Sequence, residues 1–339
     1  MATKRAILDY LSGHDSASGR ELREHLGISR QALNVHLREF IRSGKVQKSG
    51  STRGARYSLA RRPIAAAVQE RTVSLKGLDE SSVYDHLATP LNLRSQLRNN
   101  VEAILQYAFT EMLNNAIEHS EADRSKVRLR LEPAGVAFQV RDRGIGVFHS
   151  VASKLQLEDE QAALVELLKG KTTTMRDSHT GEGIFFTSRV ADRFVLRSHR
   201  IRVEWNRYKD DVFVSKERFL AGTDVQFLVD RATRRRLEDV FGEFAPAENN
   251  YRFDKTRVLV KLLQTDYISR SEAKRLLANL ENFREVVLDF KDVRSIGQGF
   301  ADEVFRVFAS RHPEIKIAVE NTNPVVSAML RHVRRAVEA

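Results

Sequence analysis

A carboxylate, an amide and an imidazole recur four residues apart in Glu111-Met-Leu-Asn-Asn115-Ala-Ile-Glu-His119. On a helix that spacing puts all three down one stripe, while Leu113, Ala116 and Ile117 take the buried face. Such a stripe suits the wall of a reaction site better than a core, although an ordinary amphipathic helix would show the same pattern. Further on, Asp142-Arg-Gly144-Ile-Gly146 sets a carboxylate ahead of two glycines. A carboxylate there can accept from the exocyclic amine of adenine, which guanine lacks at that position, and glycine lets the backbone pass close to a base. Thr180-Gly181-Glu-Gly183-Ile then places glycines at a helix start. Free backbone N–H groups and the positive helix end favour a phosphate there. Together these residue types suggest the holding of an adenine nucleotide.

The elements that must position them can be read from periodicity. Phe109 to His119 reads as one helix, preceded by a helical stretch from Leu91 to Phe109. Val136, Phe138 and Val140 alternate, so a strand delivers Asp142 at its end. Residues 149–179 separate the second and third motifs and read as a lid. Within it Lys169, Lys171 and Arg176 could close over phosphates or stand as a solvated charge run. Gly170-Lys171-Thr172 is not a Walker A loop, because position 165 is Val where that pattern needs Gly. Gly222-Thr223-Asp224 leads into another strand, Val225 to Val229.

In order and spacing these motifs resemble the N, G1 and G2 boxes of the GHKL ATPases. That superfamily includes histidine kinases, anti-sigma-factor kinases and the ATPase domains of type II topoisomerases. The resemblance covers about residues 95–230. It implies ATP and Mg²⁺ as cofactors, with Asn115 as the metal ligand and Asp142 as the adenine-reading residue. Gly144 and Gly146 would form the adjoining turn, Gly181 and Gly183 would meet phosphates, and the Thr223 hydroxyl would lie near adenine. Glu111 takes the position of the general base in members that hydrolyse ATP. His86-Leu-Ala-Thr-Pro90 is one residue short of the phosphoacceptor spacing of sensor histidine kinases. The roughly 20 residues from Pro90 to Glu111 are also too few for a phosphoacceptor hairpin.

The 339 residues are 42% hydrophobic and 30% charged and include no cysteine. This composition implies several globular domains without disulfides or thiolate metal sites. With no long apolar run and no apolar leader, a cytoplasmic protein with no membrane partner is expected. The net charge of +11 is concentrated at one end: residues 1–62 hold 13 Lys and Arg against 5 Asp and Glu. There Ser18 can cap a helix from Gly19 to Leu26, closed by Gly27, and Ser29 can cap another from Arg30 to Ser43. Two short β-like runs flank Ser49-Gly-Ser-Thr-Arg53-Gly54. The arrangement resembles a bacterial winged helix-turn-helix, which implies double-stranded DNA as a partner. Gln31 and Asn34 could reach base edges, and Arg30, Arg38, Arg53 and Arg56 could neutralise phosphates. The same fold also serves protein contacts.

Beyond residue 232, strands and helices alternate, which implies a mainly parallel sheet. The layout resembles STAS domains, the fold of anti-anti-sigma factors. It departs from the phosphorylatable ones, because Ile296-Gly297-Gln298-Gly299 has no hydroxyl where their phosphoacceptor serine stands.

The fold class expected is therefore multidomain, α+β and α/β. A winged helix spans 1–62, a linker 63–94, a GHKL α/β sandwich 95–232 and a small STAS-like α/β domain 233–339. The function expected is that of an ATP- and DNA-binding bacterial transcriptional regulator. Mg-ATP binding, with or without hydrolysis, would control DNA or partner binding. The alternative is a protein serine/threonine kinase of the anti-sigma-factor type acting on a separate partner. A third reading, an ATP-driven clamp, lacks a visible transducer domain with a catalytic lysine. The STAS-like domain would meet a protein partner or a second copy in a homodimer.

Overall fold

Helix caps organise the start of the chain. After α1 (Ala2–Ser12) and the two-residue β1 (Ala17–Ser18), Ser18 and Glu21 form a reciprocal capping box that opens α2 (Gly19–Leu26). Ser29 Oγ accepts from Ala32 N at 3.1 Å and opens α3 (Arg30–Arg42). A small antiparallel sheet follows, with β2 (Val46–Ser49) and β1 on either side of β3 (Arg56–Leu59). Ile7, Leu11, Leu22, Leu33, Leu37 and Phe40 close a core that belongs to this domain alone. The computed structural model describes residues 2–14, 16–49, 55–59, 66–170, 182–245, 253–262 and 266–338. Arg53, Lys171, Arg176 and Gly181 lie outside them.

The central domain contains β4 (Ala67–Ser74), α4 (Glu80–Ala88), α5 (Leu93–Gln96), α6 (Asn99–His119), β5 (Arg124–Leu131) and β6 (Gly135–Asp142). It continues through α7 (Val147–Lys154), α8 (Glu160–Lys169), α9 (Gly183–Val190), β7 (Arg193–Asn206) and β8 (Asp211–Asp230). The five strands form an antiparallel sheet in the order β4-β5-β6-β8-β7. Helices α4, α6 and α9 pack side by side against it. The middle of the sheet is apolar: Phe138 stacks on Phe227 at 4.9 Å and meets Phe109 of α6 edge-on at 5.5 Å. The N-terminal domain reaches this sheet where Gly44 lies against Pro133 in the β5–β6 turn.

Two expectations are corrected here. Residues 63–94 are not a linker, since 67–88 supply the edge strand β4 and the helix α4. Along β4 the register runs Ala67↔Leu131 to Ser74↔Arg124, and α4 buries Val83, Tyr84 and Leu87. The edge strand is largely solvent-facing and carries Glu70 against Lys126 and Arg128, so it lacks the apolar alternation of an inner strand. The two helical segments expected before and after Phe109 are one 21-residue helix, with Val101, Ile104, Leu105, Ala108, Met112 and Ala116 on its inner face.

The C-terminal domain follows α10 (Leu237–Phe244). It comprises β9 (Lys255–Leu259), β10 (Asp266–Tyr267), α11 (Arg270–Leu277), β11 (Glu285–Asp289), β12 (Ser295–Ile296) and α12 (Gln298–Asp302). A π-helical turn, Glu303–Phe308, leads to α13 (Ala309–Arg311), β13 (Lys316–Glu320) and α14 (Pro324–Glu338). Strands β13, β11 and β9 are parallel, as are β10 and β12, in line with the alternating pattern. Ser295 is tied to Asp266 through its hydroxyl at 2.8 Å, and Gly297 caps α12. The central and C-terminal domains share one hydrophobic core. At their junction Phe185 meets Phe244 at 5.0 Å and Phe253 at 4.6 Å, and Phe186 meets Phe241 at 4.6 Å. No helix among the described residues is long and apolar enough to cross a membrane.

Candidate functional site

The last two turns of α6 form one wall of a cavity of about 160 Å³. Glu111, Asn115 and His119 all line it, as their spacing requires, and Asn114 and Glu118 stand beside them. Asp142 at the end of β6 and Thr223 in β8 also line it, and Gly183 at the start of α9 lies against Glu111. Met112, Val147, Val151, Leu167, Ile184 and Leu196 supply apolar surface. An apolar slot with a few converging polar groups is the usual form of a small-molecule site.

Asp142 is 4% exposed. Its Oδ1 accepts from Gly144 N at 2.9 Å and from Thr223 N at 3.2 Å, which fixes the carboxylate at the cavity wall. Burial pushes its carboxyl above the usual carboxylate range, against those two backbone hydrogen bonds. Thr223 Oγ1 accepts from Val147 N at 3.0 Å, so its own hydroxyl proton is left for another acceptor.

The turn after Asp142 is held against the end of α6. Ile145 N donates to Ser120 O at 2.8 Å, and a Cβ on Gly144 would fall 1.8 Å from that same oxygen. Only glycine permits this approach. Gly146 then caps α7. Sequence reasoning missed Ser120, the residue that brings the Asn115 helix and the Asp142 turn together. Its contribution is a backbone carbonyl, which no side-chain motif signals. Gly222 is a second close approach: its φ is +78° and an added Cβ would lie 2.6 Å from Asp142 Oδ1.

Gly181 and Arg53 lie outside the described residues. Lys169 does not reach toward phosphates, because it is 2% exposed and paired with Glu166 at 2.7 Å. Its ammonium also donates to Ala278 O at 2.6 Å, in the C-terminal domain. Gly170 at the end of α8 turns the chain, and the apolar sequence of α8 draws the lysine beneath it into the interior.

Whether the cavity fits a metal-bound nucleotide can be tested on Asn115. Its amide nitrogen is buried and has no hydrogen-bond partner. An unpartnered buried amide on a residue that lines the cavity is an unmet hydrogen-bond demand, which a bound group can meet once the side chain turns. The two amide ends are interchangeable by rotation, so the oxygen can face the cavity equally well.

The N-terminal domain presents a different kind of surface. Arg30, Gln31 and Arg38 are exposed on α3, and Asn34 is half-buried beside them. Arg56 is exposed, but its guanidinium is bonded to Ser16 at 2.8 and 2.9 Å and lies 3.7 Å from Glu21. It therefore braces the β1–α2 corner.

Comparison with protein families follows the same divisions. Residues 2–47 match a winged helix-turn-helix DNA-binding family, 60–204 a histidine kinase-like ATPase domain family, and 272–327 a STAS-like domain family of unknown function. The chain joins these three domain families in that order. The histidine kinase-like match begins before β4, in keeping with the assignment of that strand to the central sheet. No curated protein matches the chain. In the histidine kinase-like domain, Glu111, Asn115, Asp142, Gly183 and Thr223 thus share one cavity, and Gly144, Gly146 and Gly222 shape its edge.

Proposed function

We propose that the protein is a DNA-binding regulator whose histidine kinase-like domain binds Mg-ATP and thereby controls DNA or partner binding. The observation that carries the nucleotide reading is the pairing, across one cavity, of the fixed Asp142 carboxylate with the unpartnered Asn115 amide. Asp142 would accept from the adenine amine. Asn115 would hold Mg²⁺, which bridges phosphate oxygens and needs few protein ligands. Glu111, on the same stripe as Asn115, would orient a water for attack on the terminal phosphate.

DNA binding rests on the exposed Arg30, Gln31 and Arg38 of α3 and on the basic balance of residues 1–62. A route between the two sites is supported by β6. It starts beside Pro133, where Gly44 of the winged helix is seated, and ends at Asp142. Binding of the full chain to labelled duplex DNA, with and without Mg-ATP at fixed salt, tests the proposal. ATP should change the apparent affinity, and Asp142→Ala should abolish that change. DNA binding that ignores ATP would refute the coupling, and no binding at low salt would refute the DNA half.

A further inference from the structure

A second cleft, of about 280 Å³, opens between the histidine kinase-like and STAS-like domains. One wall is the carboxyl ends of β9 and β11, with Arg257, Leu259, Asp289 and Lys291. Crevices outside the carboxyl ends of parallel strands are where open α/β sheets bind ligands. The other wall comes from α9, α10 and the β7–β8 hairpin, and includes Arg189, Trp205, Arg207 and Phe244.

The charges lining this cleft are unevenly satisfied. Asp289 accepts from Asn321 Nδ2 at 2.8 Å and from Lys291 N at 3.0 Å, and Arg257 lies 3.5 Å away. Asp211 holds Lys261, and Asp210 lies 3.5 Å from Lys291. The cations on the opposite wall have no such partners. Arg189 Nε is buried without a hydrogen bond, and its guanidinium lies over Phe185 at 4.9 Å and Phe244 at 5.7 Å. Arg207 likewise has no side-chain partner among the described residues. Glu243 also lines the cleft but forms no ion pair with either arginine among the described residues.

We propose that this cleft is a second ligand site, distinct from the nucleotide cavity, in which Arg189 and Arg207 bind the phosphate or carboxylate group of a small anion. A guanidinium presents several N–H donors in a planar fork that matches either oxyanion. Burial, and then the charge of Arg257, push the Arg189 guanidinium down to about 10. An anion in the cleft would add to the opposing pull of Glu243 and Asp289 on that guanidinium. Because the walls belong to two domains, such a ligand would bridge them.

The chain contains a single tryptophan, Trp205, and it lines this cleft, so its emission reports on the site directly. Inorganic phosphate and, separately, citrate should be titrated into the full chain at constant ionic strength, with chloride as control. A saturable change in Trp205 emission with either anion, surviving Asn115→Ala and weakened at least tenfold by Arg189→Met, is the expected result. Response to phosphate alone would mark the ligand as a phosphate, and response to citrate alone as a carboxylate. Should Arg189→Met not fold, Arg207→Met, a change of an exposed side chain, carries the same test. No saturable response to either anion would overturn the proposal. So would a response lost in Asn115→Ala, or one unchanged in the arginine variants.

Discussion

Gly183 leaves the Glu111 carboxylate its place: a Cβ built on Gly183 would fall 2.2 Å from Glu111 Oε2. The start of α9 and the polar stripe of α6 therefore meet with no side chain between them. Gly183→Ala should turn the Glu111 carboxylate away while leaving the helix intact. On the proposed role of Glu111, phosphate release from Mg-ATP is expected to fall about a hundredfold, as it should in Glu111→Gln. ATP affinity should stay near that of the wild type in both. Steady-state phosphate assays alongside equilibrium ATP binding check this. Undiminished turnover in Gly183→Ala would separate the two residues.

Asp142→Asn removes a charge whose neutral form the fold favours. The amide oxygen can still accept from Gly144 N and Thr223 N, so thermal stability should hold or rise at neutral pH. Because burial raises the folded-state pKa of Asp142, its stabilising contribution is full below the unfolded carboxylate value. That contribution is lost as pH rises through the raised value. The variant should lose this slope across that window in unfolding measured against pH. Facing adenine, the amide would present a donor to a donor, and ATP affinity should drop by ~1–3 kcal/mol, roughly fivefold to 150-fold.

The Lys169–Glu166 pair is buried and tied to the STAS-like domain, since Asn279 Nδ2 donates to Glu166 Oε2 at 2.9 Å. Lys169→Ala leaves a buried carboxylate without its cation and should cost about 3–5 kcal/mol in denaturant unfolding. Lys169→Met combined with Glu166→Leu should cost less than Lys169→Ala, because no charge is then stranded. A double variant as unstable as the single one would mean the cost is packing.

On the winged helix, Arg30→Ala and Arg38→Ala should each weaken DNA binding uniformly across sequences and lower the salt slope by about one. Gln31→Ala should instead relax sequence preference with the slope unchanged. Arg56→Ala should act mainly through domain stability, since its guanidinium is committed to Ser16. Electrophoretic shifts at several salt concentrations separate these outcomes.

Where side-chain chemistry and periodicity coincide, the sequence was readable. Glu111, Asn115 and His119 share a helix face because four-residue spacing leaves no alternative, and the alternating Val136, Phe138 and Val140 announce the strand that ends at Asp142. Ser18 and Ser29 cap the helices their positions suggest. What was illegible works through the backbone or through exposure. Ser120 acts by its carbonyl. Strand β4 is polar because it is an edge, so its residues read like those of a linker. Lys169 carries the same letter as a phosphate-binding lysine, and only the packing of α8 on the C-terminal domain shows it turned inward.

The continuous core beneath α9, α10 and β9 has a thermodynamic consequence. Domains that share one core unfold together, so a ligand that binds only the folded nucleotide site stabilises both of them. At a hundredfold excess over its dissociation constant that amounts to about 2.7 kcal/mol, delivered also to the C-terminal domain, none of whose described residues lines the cavity. The winged helix closes its core by itself, so it is joined to this unit through the Gly44–Pro133 contact and not through a shared core. The resistance of the STAS-like domain to proteolysis would thereby become a readout of nucleotide concentration in the surrounding solution.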